Sequence, residues 1–559
     1  YPTQGPPPPA YGQQPAYGQQ PPYGQQPPGY GYPTAPQYPG QGQQQYPGQP
    51  GYGYPTQPQY GGPQQPPPGG GKKLSNQTQI IIAAVIAVVL IVGGGIWFVS
   101  SGDDTKKNDS KGDSGGATAG TTGGSKDTGG GGKEKPPADT KSRVAFKLPV
   151  PKVADVTDVS GSWLTDTAFV KTGLNSVVGY DRDKGTQLWS IPLPGQVCAA
   201  TDHVTKDNKT AILFAAAKTD AKGKYQPCTR VGVIDLNAGK LLWSKGVKSE
   251  TSGDEDTTFD EVTLSGSTVA AGGLRGGAAF DINTQAVLWK PEADTNNCYD
   301  MGYGGGDALV AARKCGNYDN PQVSIEPLNP KTGAPLSTFK MPEGVEYAHV
   351  VSSSPLVVAA DVGDTAGDGS GISDFFVIDA KTGKLTTKIA ADGDTYAASC
   401  DSTEVESCRA LAVGNGRLYL PTEEHDGTGE EQIAQTNEIV SFDLATGKTT
   451  SDRIDAGNRH TLVPLRMDGN NVLAYRTAVY DGGGQIISIN GATAKKTILM
   501  ENPSDEDTRG YENRFVDDAA EFRYADGRLY ISNNLVSKPS AGDSTLDDKV
   551  LLSLAFTTH

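Results

Sequence analysis

Charge is missing from the first 71 residues: no Asp, Glu, Lys or Arg occurs there, and all 48 basic and 64 acidic side chains lie beyond Gly71. Histidine is scarce as well. The five present, His203, His349, His425, His460 and His559, are far apart and form no HExxH or His-x-His spacing, which excludes the common sequence-local zinc sites. The six cysteines contain neither a Cys-Cys dipeptide nor a Cys-x-x-Cys pair. A formal net charge of −16 gives a surface that repels nucleic acid, so no nucleic-acid partner is expected.

What is present is sharply segregated along the chain. Residues 1–71 are a Pro, Gly, Gln and Tyr tract that cannot bury enough apolar surface to offset its ordering entropy, so a disordered tail is expected. Tyr1 is not an initiator Met, and the natural start is expected upstream. After a basic juxtamembrane stretch at 72–79, residues 80–99 read IIIAAVIAVVLIVGGGIWFV, without a charge. At about 1.5 Å per residue such a helix spans the roughly 30 Å hydrocarbon core, which predicts a single transmembrane helix. Lys72 and Lys73 before it, with Asp103 and Asp104 after it, predict a cytoplasmic N-terminus and an exported C-terminal domain at the plasma membrane. Residues 100–142 form a Gly, Ser and Thr-rich tether with ends roughly 35–40 Å apart if it behaves as an ideal chain. Its Gly112-Asp113-Ser114-Gly115-Gly116 run matches a serine-nucleophile signature but lacks a strand to hold it rigid and is read as chance.

The cysteines Cys198, Cys228, Cys298, Cys315, Cys400 and Cys408 fall into three sequence-local pairs, separated by 30, 17 and 8 residues. Six cysteines allow about fifteen connectivities, of which pairing in order along the chain is the preferred one. Structural disulfides and an oxidising compartment are expected.

Beyond residue 143 the chain repeats itself. One copy carries Asp181, Gly185 and Trp189; the next Asp235, Gly239 and Trp243; a third Asp281 and Trp289, with Gln285 in place of the glycine. Weaker copies follow at Asn329, Asp379, Asp443 and Asn490, and Ala555 lines up as an eighth. The steps between these positions are 54, 46, 48, 50, 64, 47 and 65 residues, the length of one four-stranded propeller blade. Each unit is physically sensible on its own. A short β-branched or aromatic run ends in Asp or Asn, which can bond the following turn, and the glycine four residues on supplies the positive φ that closes a hairpin. An all-β, eight-bladed propeller over 143–559 is therefore predicted, with seven blades as the alternative. The eighth unit lacks an outer strand, which residues 144–148 would supply, closing the ring and removing two open edges.

The Asp-x-x-x-Gly-x-x-x-Trp pattern at Asp181, Gly185, Trp189 and at Asp235, Gly239, Trp243 resembles the blade repeat of quinoprotein dehydrogenases and of the non-enzymatic BamB-like propellers. The resemblance implies that the tryptophans pack between blades. It further implies, for the dehydrogenases, a quinone held over a disulfide of adjacent cysteines with Ca²⁺ and a catalytic Asp, and the vicinal cysteines are absent here. Other candidate sites are thin. Glu423-Glu424-His425 is the one place where a pair of carboxylates runs up to an imidazole, while Asp254-Glu255-Asp256 and Asp361, Asp364, Asp368 fit no EF-hand spacing. No catalytic residue, metal ligand or cofactor is assigned. The expected function is a membrane-anchored binding scaffold for an envelope protein or wall polymer. A quinone-dependent oxidoreductase is the alternative, and a glycan-acting hydrolase or lyase the third.

Overall fold

The computed structural model describes residues 132–219, 225–250, 252–317, 320–363, 371–401, 403–427, 434–515, 519–538 and 550–559. The expected tail, transmembrane helix, most of the tether and the Gly112–Gly116 run lie outside them. Among the described residues no helix is long and apolar enough to cross a membrane.

Eight four-stranded antiparallel sheets follow one another along the chain, which settles the blade number at eight rather than seven. Blade 1 consists of Ser162–Leu164, Ala168–Gly173, Ser176–Asp181 and Gln187–Pro192, in order from the inner to the outer strand. The inner strands of blades 2 to 7 are Val197–Ala200, Glu261–Ser265, Tyr299–Gly304, His349–Ser353, Ala412–Gly414 and Leu462–Asp468. Blade 8 takes Ala520–Ala525, Arg528–Asn533 and Leu551–Thr557 from the end of the domain and Arg143–Pro149 from its start. The ring is therefore closed by the strand that the sequence singles out, and no blade is left with an unpaired third strand.

The apolar residues of each blade face its neighbours, so the core is distributed. Eight buried clusters lie one at each junction between successive blades. At the closing junction Phe169 of blade 1 stacks on Tyr530 of blade 8 with ring centroids 4.4 Å apart. The repeated turn is built as its residues dictate. Asp181 Oδ1 accepts from the amides of Asp183 and Lys184 at 3.0 and 2.8 Å, and Gly185 takes a φ of +64°. In the third copy Gln285 occupies the same left-handed conformation, at φ +63°.

The meander order places the hairpins between first and second and between third and fourth strands at one face of the ring. The connections between second and third strands, and from blade to blade, lie at the other. Most of the latter are longer, and one contains a short helix, Glu506–Glu512, that hydrophobic patterning does not reveal. Asp505 caps it by accepting from Thr508 N at 2.9 Å.

Candidate functional site: a cystine loop in the axial channel

The connection from the outer strand of blade 5, Lys384–Ala390, to the inner strand of blade 6 contributes to the longest step between two turn residues, 64 residues from Asp379 to Asp443, apart from the final one. Part of that excess forms a loop closed by Cys400–Cys408. The loop reaches the inner strands of blades 3, 4 and 5 at once, which places it in the axial channel. Val405 is 1% exposed, and its carbonyl accepts from Val350 N at 2.7 Å. His349 Nδ1 lies 2.7 Å from the Glu404 carbonyl, so a neutral imidazole donates there; burial holds the pKa of His349 below its usual value.

Glu261 of blade 3 anchors the loop backbone. One carboxylate oxygen accepts from Val405 N at 2.7 Å and Glu406 N at 3.3 Å, and the other accepts from Tyr303 N at 2.9 Å. Burial, with the charge of Glu404, raises the pKa of Glu261 well above the usual carboxylate range. The close approach needs Gly302, where a Cβ would stand 1.4 Å from Glu261 Oε1.

Glu406 then extends along the channel. Its carboxylate lies 2.7 Å from His203 Nε2 and accepts from Gly305 N at 3.1 Å and from the Thr263 hydroxyl. Blades 2, 3 and 4 thus grip one side chain. At His203 burial favours the neutral ring, but the bond to Glu406 and the charges of Glu406, Asp202 and Asp307 outweigh it and raise the pKa. Arg409, at the foot of the loop, donates to the Ala519 carbonyl at 3.0 Å, reaching across to blade 8.

A second charged group occupies the junction of blades 8 and 1. The buried Lys171 Nζ lies 2.9 Å from Glu521 Oε2 and donates to the Val159 carbonyl at 2.5 Å. Burial works against the charged form of both partners and lowers the pKa of Lys171, whereas at Glu521 the charges of Lys171 and Arg523 outweigh burial and hold the pKa below the usual value. Arg523 donates to the Ser162 carbonyl at 2.9 Å and pairs with Asp202, the neighbour of His203.

A family model described as outer membrane protein assembly factor BamB matches residues 168–310, from blade 1 into blade 4. The matched stretch is similar to the PQQ-like, BamB-like blade repeat. No curated protein matches the chain. Among solved structures, BamB from Moraxella catarrhalis is 13% identical, covering 72% of this chain and 99% of its own, with a TM-score of 0.37. The Cps50 (Swd1) β-propeller domain of Myceliophteria thermophila is 11% identical, covering 59% and 96%, with a TM-score of 0.33.

In the ring the repeat residues lie away from the channel. Trp189 covers the turn of the next blade, where a Cβ on Gly239 would fall 2.3 Å from its ring, and Trp289 covers Gly333 in the same way. Trp243 donates from Nε1 to the Ile282 carbonyl at 2.8 Å, in the turn between Asp281 and Gln285. At the closing junction Phe146 lies against Gly185 as Trp189 lies against Gly239. Asp235 bonds the amides of Asn237 and Ala238 at its own turn.

The cysteines pair in order, Cys198–Cys228, Cys298–Cys315 and Cys400–Cys408. His349 stands near Cys400 and Cys408, but a disulfide offers no thiolate for a metal. Of the other candidates, His425 pairs with Glu438 at 3.0 Å rather than with Glu423 or Glu424, and Asp256 pairs with Arg230 at 3.5 Å. Asp364 and Asp368 lie outside the described residues, and Asp361 lies just before them. His460 and His559 bond the carbonyls of Thr477 and Asp526, remote from His203. The sequence pattern does not single out Glu261, Glu406, Lys171, Glu521 or Arg523. The one available signal was the overlong step that ends at Asp443, with a cysteine pair inside it.

Proposed function

We propose that this chain is a membrane-anchored binding module whose propeller recruits an envelope protein or wall polymer on the outer side of the membrane. The observation that carries this reading is the occupied channel. In ring-shaped folds the axial cavity is a natural place for a small ligand. Here the loop 400–408 sits in it, held by Glu261, His203 and Val350, so a quinone or sugar would have to displace the chain's own backbone. The faces of the ring are left for recognition.

The start of the described chain lies against the ring. Glu134 N donates to Asp468 Oδ2 at 3.0 Å, and Glu134 Oε2 accepts from Asp526 N at 3.1 Å, both beside short hairpins of blades 7 and 8. The chain therefore joins the ring at its hairpin face.

The test is site-specific photocrosslinking in intact cells, with the crosslinker at Leu274 or Tyr480 on the long-connection face and at Lys381 on the hairpin face. A defined envelope protein or glycan adduct from the first two positions is the expected result. Adducts with lipid or cytoplasmic proteins alone would overturn the reading.

A further inference from the structure

The excess of acid over base is not spread evenly over the ring. At the hairpin face the turn residues Lys184, Lys331, Lys381, Lys448 and Lys495 stand beside the repeat carboxylates and amides. At the opposite face the connections 249–260, 391–411, 422–427 and 505–512 are rich in Asp and Glu, with Arg409 and Arg509 as their only Lys or Arg. A cleft of about 850 Å³ opens on that face beside the foot of the cystine loop, between blades 5 and 6 and blade 8. Asp392, Asp394, Asp401 and Glu423 line it together with apolar Ile372, Ala398 and the 52%-exposed Leu535. The guanidinium of Arg409, which also lines the cleft, is turned to the Ala519 carbonyl.

We infer that this cleft is the docking site for a basic, partly apolar segment of a partner polypeptide, whose Lys or Arg side chains meet Asp394, Asp401 and Glu423 while neighbouring apolar side chains cover Leu535 and Ala398. A free ion does not account for the geometry. A water molecule takes up about 30 Å³, so the cleft holds several side chains. Among the described residues the only set of His, Cys and acidic groups close enough to share a metal is the His349 and Cys400–Cys408 group. Burial and the nearby charges of Asp401, Asp158 and Asp260 push Glu404 up to about 7, and burial with Glu424 and Asp394 raises Glu423. These carboxylates repel one another, and an incoming cation relieves that repulsion.

This inference rests on the binding-module reading and names its surface. The experiment measures fluorescence anisotropy of labelled peptides of alternating Arg and Leu, or alternating Glu and Leu, with the full chain in detergent. The Arg-Leu peptide is expected to bind and the Glu-Leu peptide not. Asp394→Asn with Asp401→Asn is expected to weaken binding about tenfold, whereas Asp166→Asn with Asp207→Asn, which removes the same charge from the hairpin face, leaves it unchanged. Both altered pairs are surface groups, and circular dichroism checks their folding. Equal weakening by the two double variants would show a general field rather than a site and overturn the inference. So would displacement of the peptide by Ca²⁺ alone, the signature of an ion site. If the photocrosslinked partner is retained by the Asp394/Asp401 variant, the cleft assignment fails while the binding-module reading stands.

Discussion

Glu406 and His203 are 203 positions apart in the chain, yet their side chains meet at 2.7 Å inside the channel. A loop from one side of the ring is thereby held by a hairpin of blade 2, and the bond has a pH signature. The pKa of His203 is raised in the folded chain, so the bond's contribution is fully present below the unfolded value of about 6.5 and is lost as pH rises through the folded one. Both side chains remain about a third exposed, 33% and 29%, so screening limits the effect to about 0.5–1 kcal/mol. Amide exchange of residues 403–409 is expected to quicken as pH rises through this range, beyond the intrinsic base dependence. His203→Gln removes the extra dependence. An unchanged profile in the variant would assign it to another group.

Glu261 carries the backbone of the same loop, and its removal is expected to be felt more strongly. Glu261→Ala leaves three amide donors, of Tyr303, Val405 and Glu406, without their acceptor in a buried site. A loss of about 3 kcal/mol is expected from urea unfolding. Gly302→Ala is expected to act on the same contact from the other side, because the added methyl collides with the Glu261 carboxylate. If the double variant is no worse than the poorer single one, the two act on one element; full additivity would separate them.

Trp189 and Gly239 test what the repeat does. Gly239→Ala places a Cβ 2.3 Å from the indole and forces alanine to φ +60°, whereas Gly253, at φ +65°, has nothing within 4 Å. Gly253→Ala is expected to cost about 1–2 kcal/mol from backbone strain alone. Gly239→Ala is expected to cost about 2 kcal/mol more, from overpacking between blades 1 and 2. Equal losses in thermal or urea unfolding would mean that the indole moves aside freely.

How much of this was legible in the sequence follows from the distances over which each feature is encoded. The Asp181, Gly185 and Trp189 unit is local: its turn bonds span two or three residues, so the pattern repeats visibly and its step gives the blade length. Ring closure by residues 143–149 was legible because the last unit lacked an outer strand. The cysteine pairs were legible because they are close in sequence. Glu261, Glu406, Lys171 and Glu521 left no such mark. Lys171 meets Glu521 across 350 positions, and no periodic pattern relates a lysine in one repeat to a glutamate in another. The helix Glu506–Glu512 has seven residues, too few for a 3.6-residue period to show.

The Cys400–Cys408 disulfide should matter locally as well as globally. It closes a loop whose ends are 8 positions apart, and the chain-entropy model assigns such a bridge about 2–3 kcal/mol. Cys400 belongs to the core between blades 5 and 6 and Val405 to that between blades 4 and 5, while Glu406 extends into the channel, so opening the bridge disturbs only the clusters that the loop itself joins. Replacing both cysteines by serine is therefore expected to lower the stability of the ring by about 2–3 kcal/mol in urea unfolding and to expose the loop, so that trypsin cuts after Arg409 under native conditions. Cys198→Ser with Cys228→Ser, whose bridge joins strands of blade 2 away from the loop, provides the comparison and should leave Arg409 protected. If Arg409 resists trypsin equally in both double variants, the grip of Glu261 and His203 holds the loop in the channel without the disulfide.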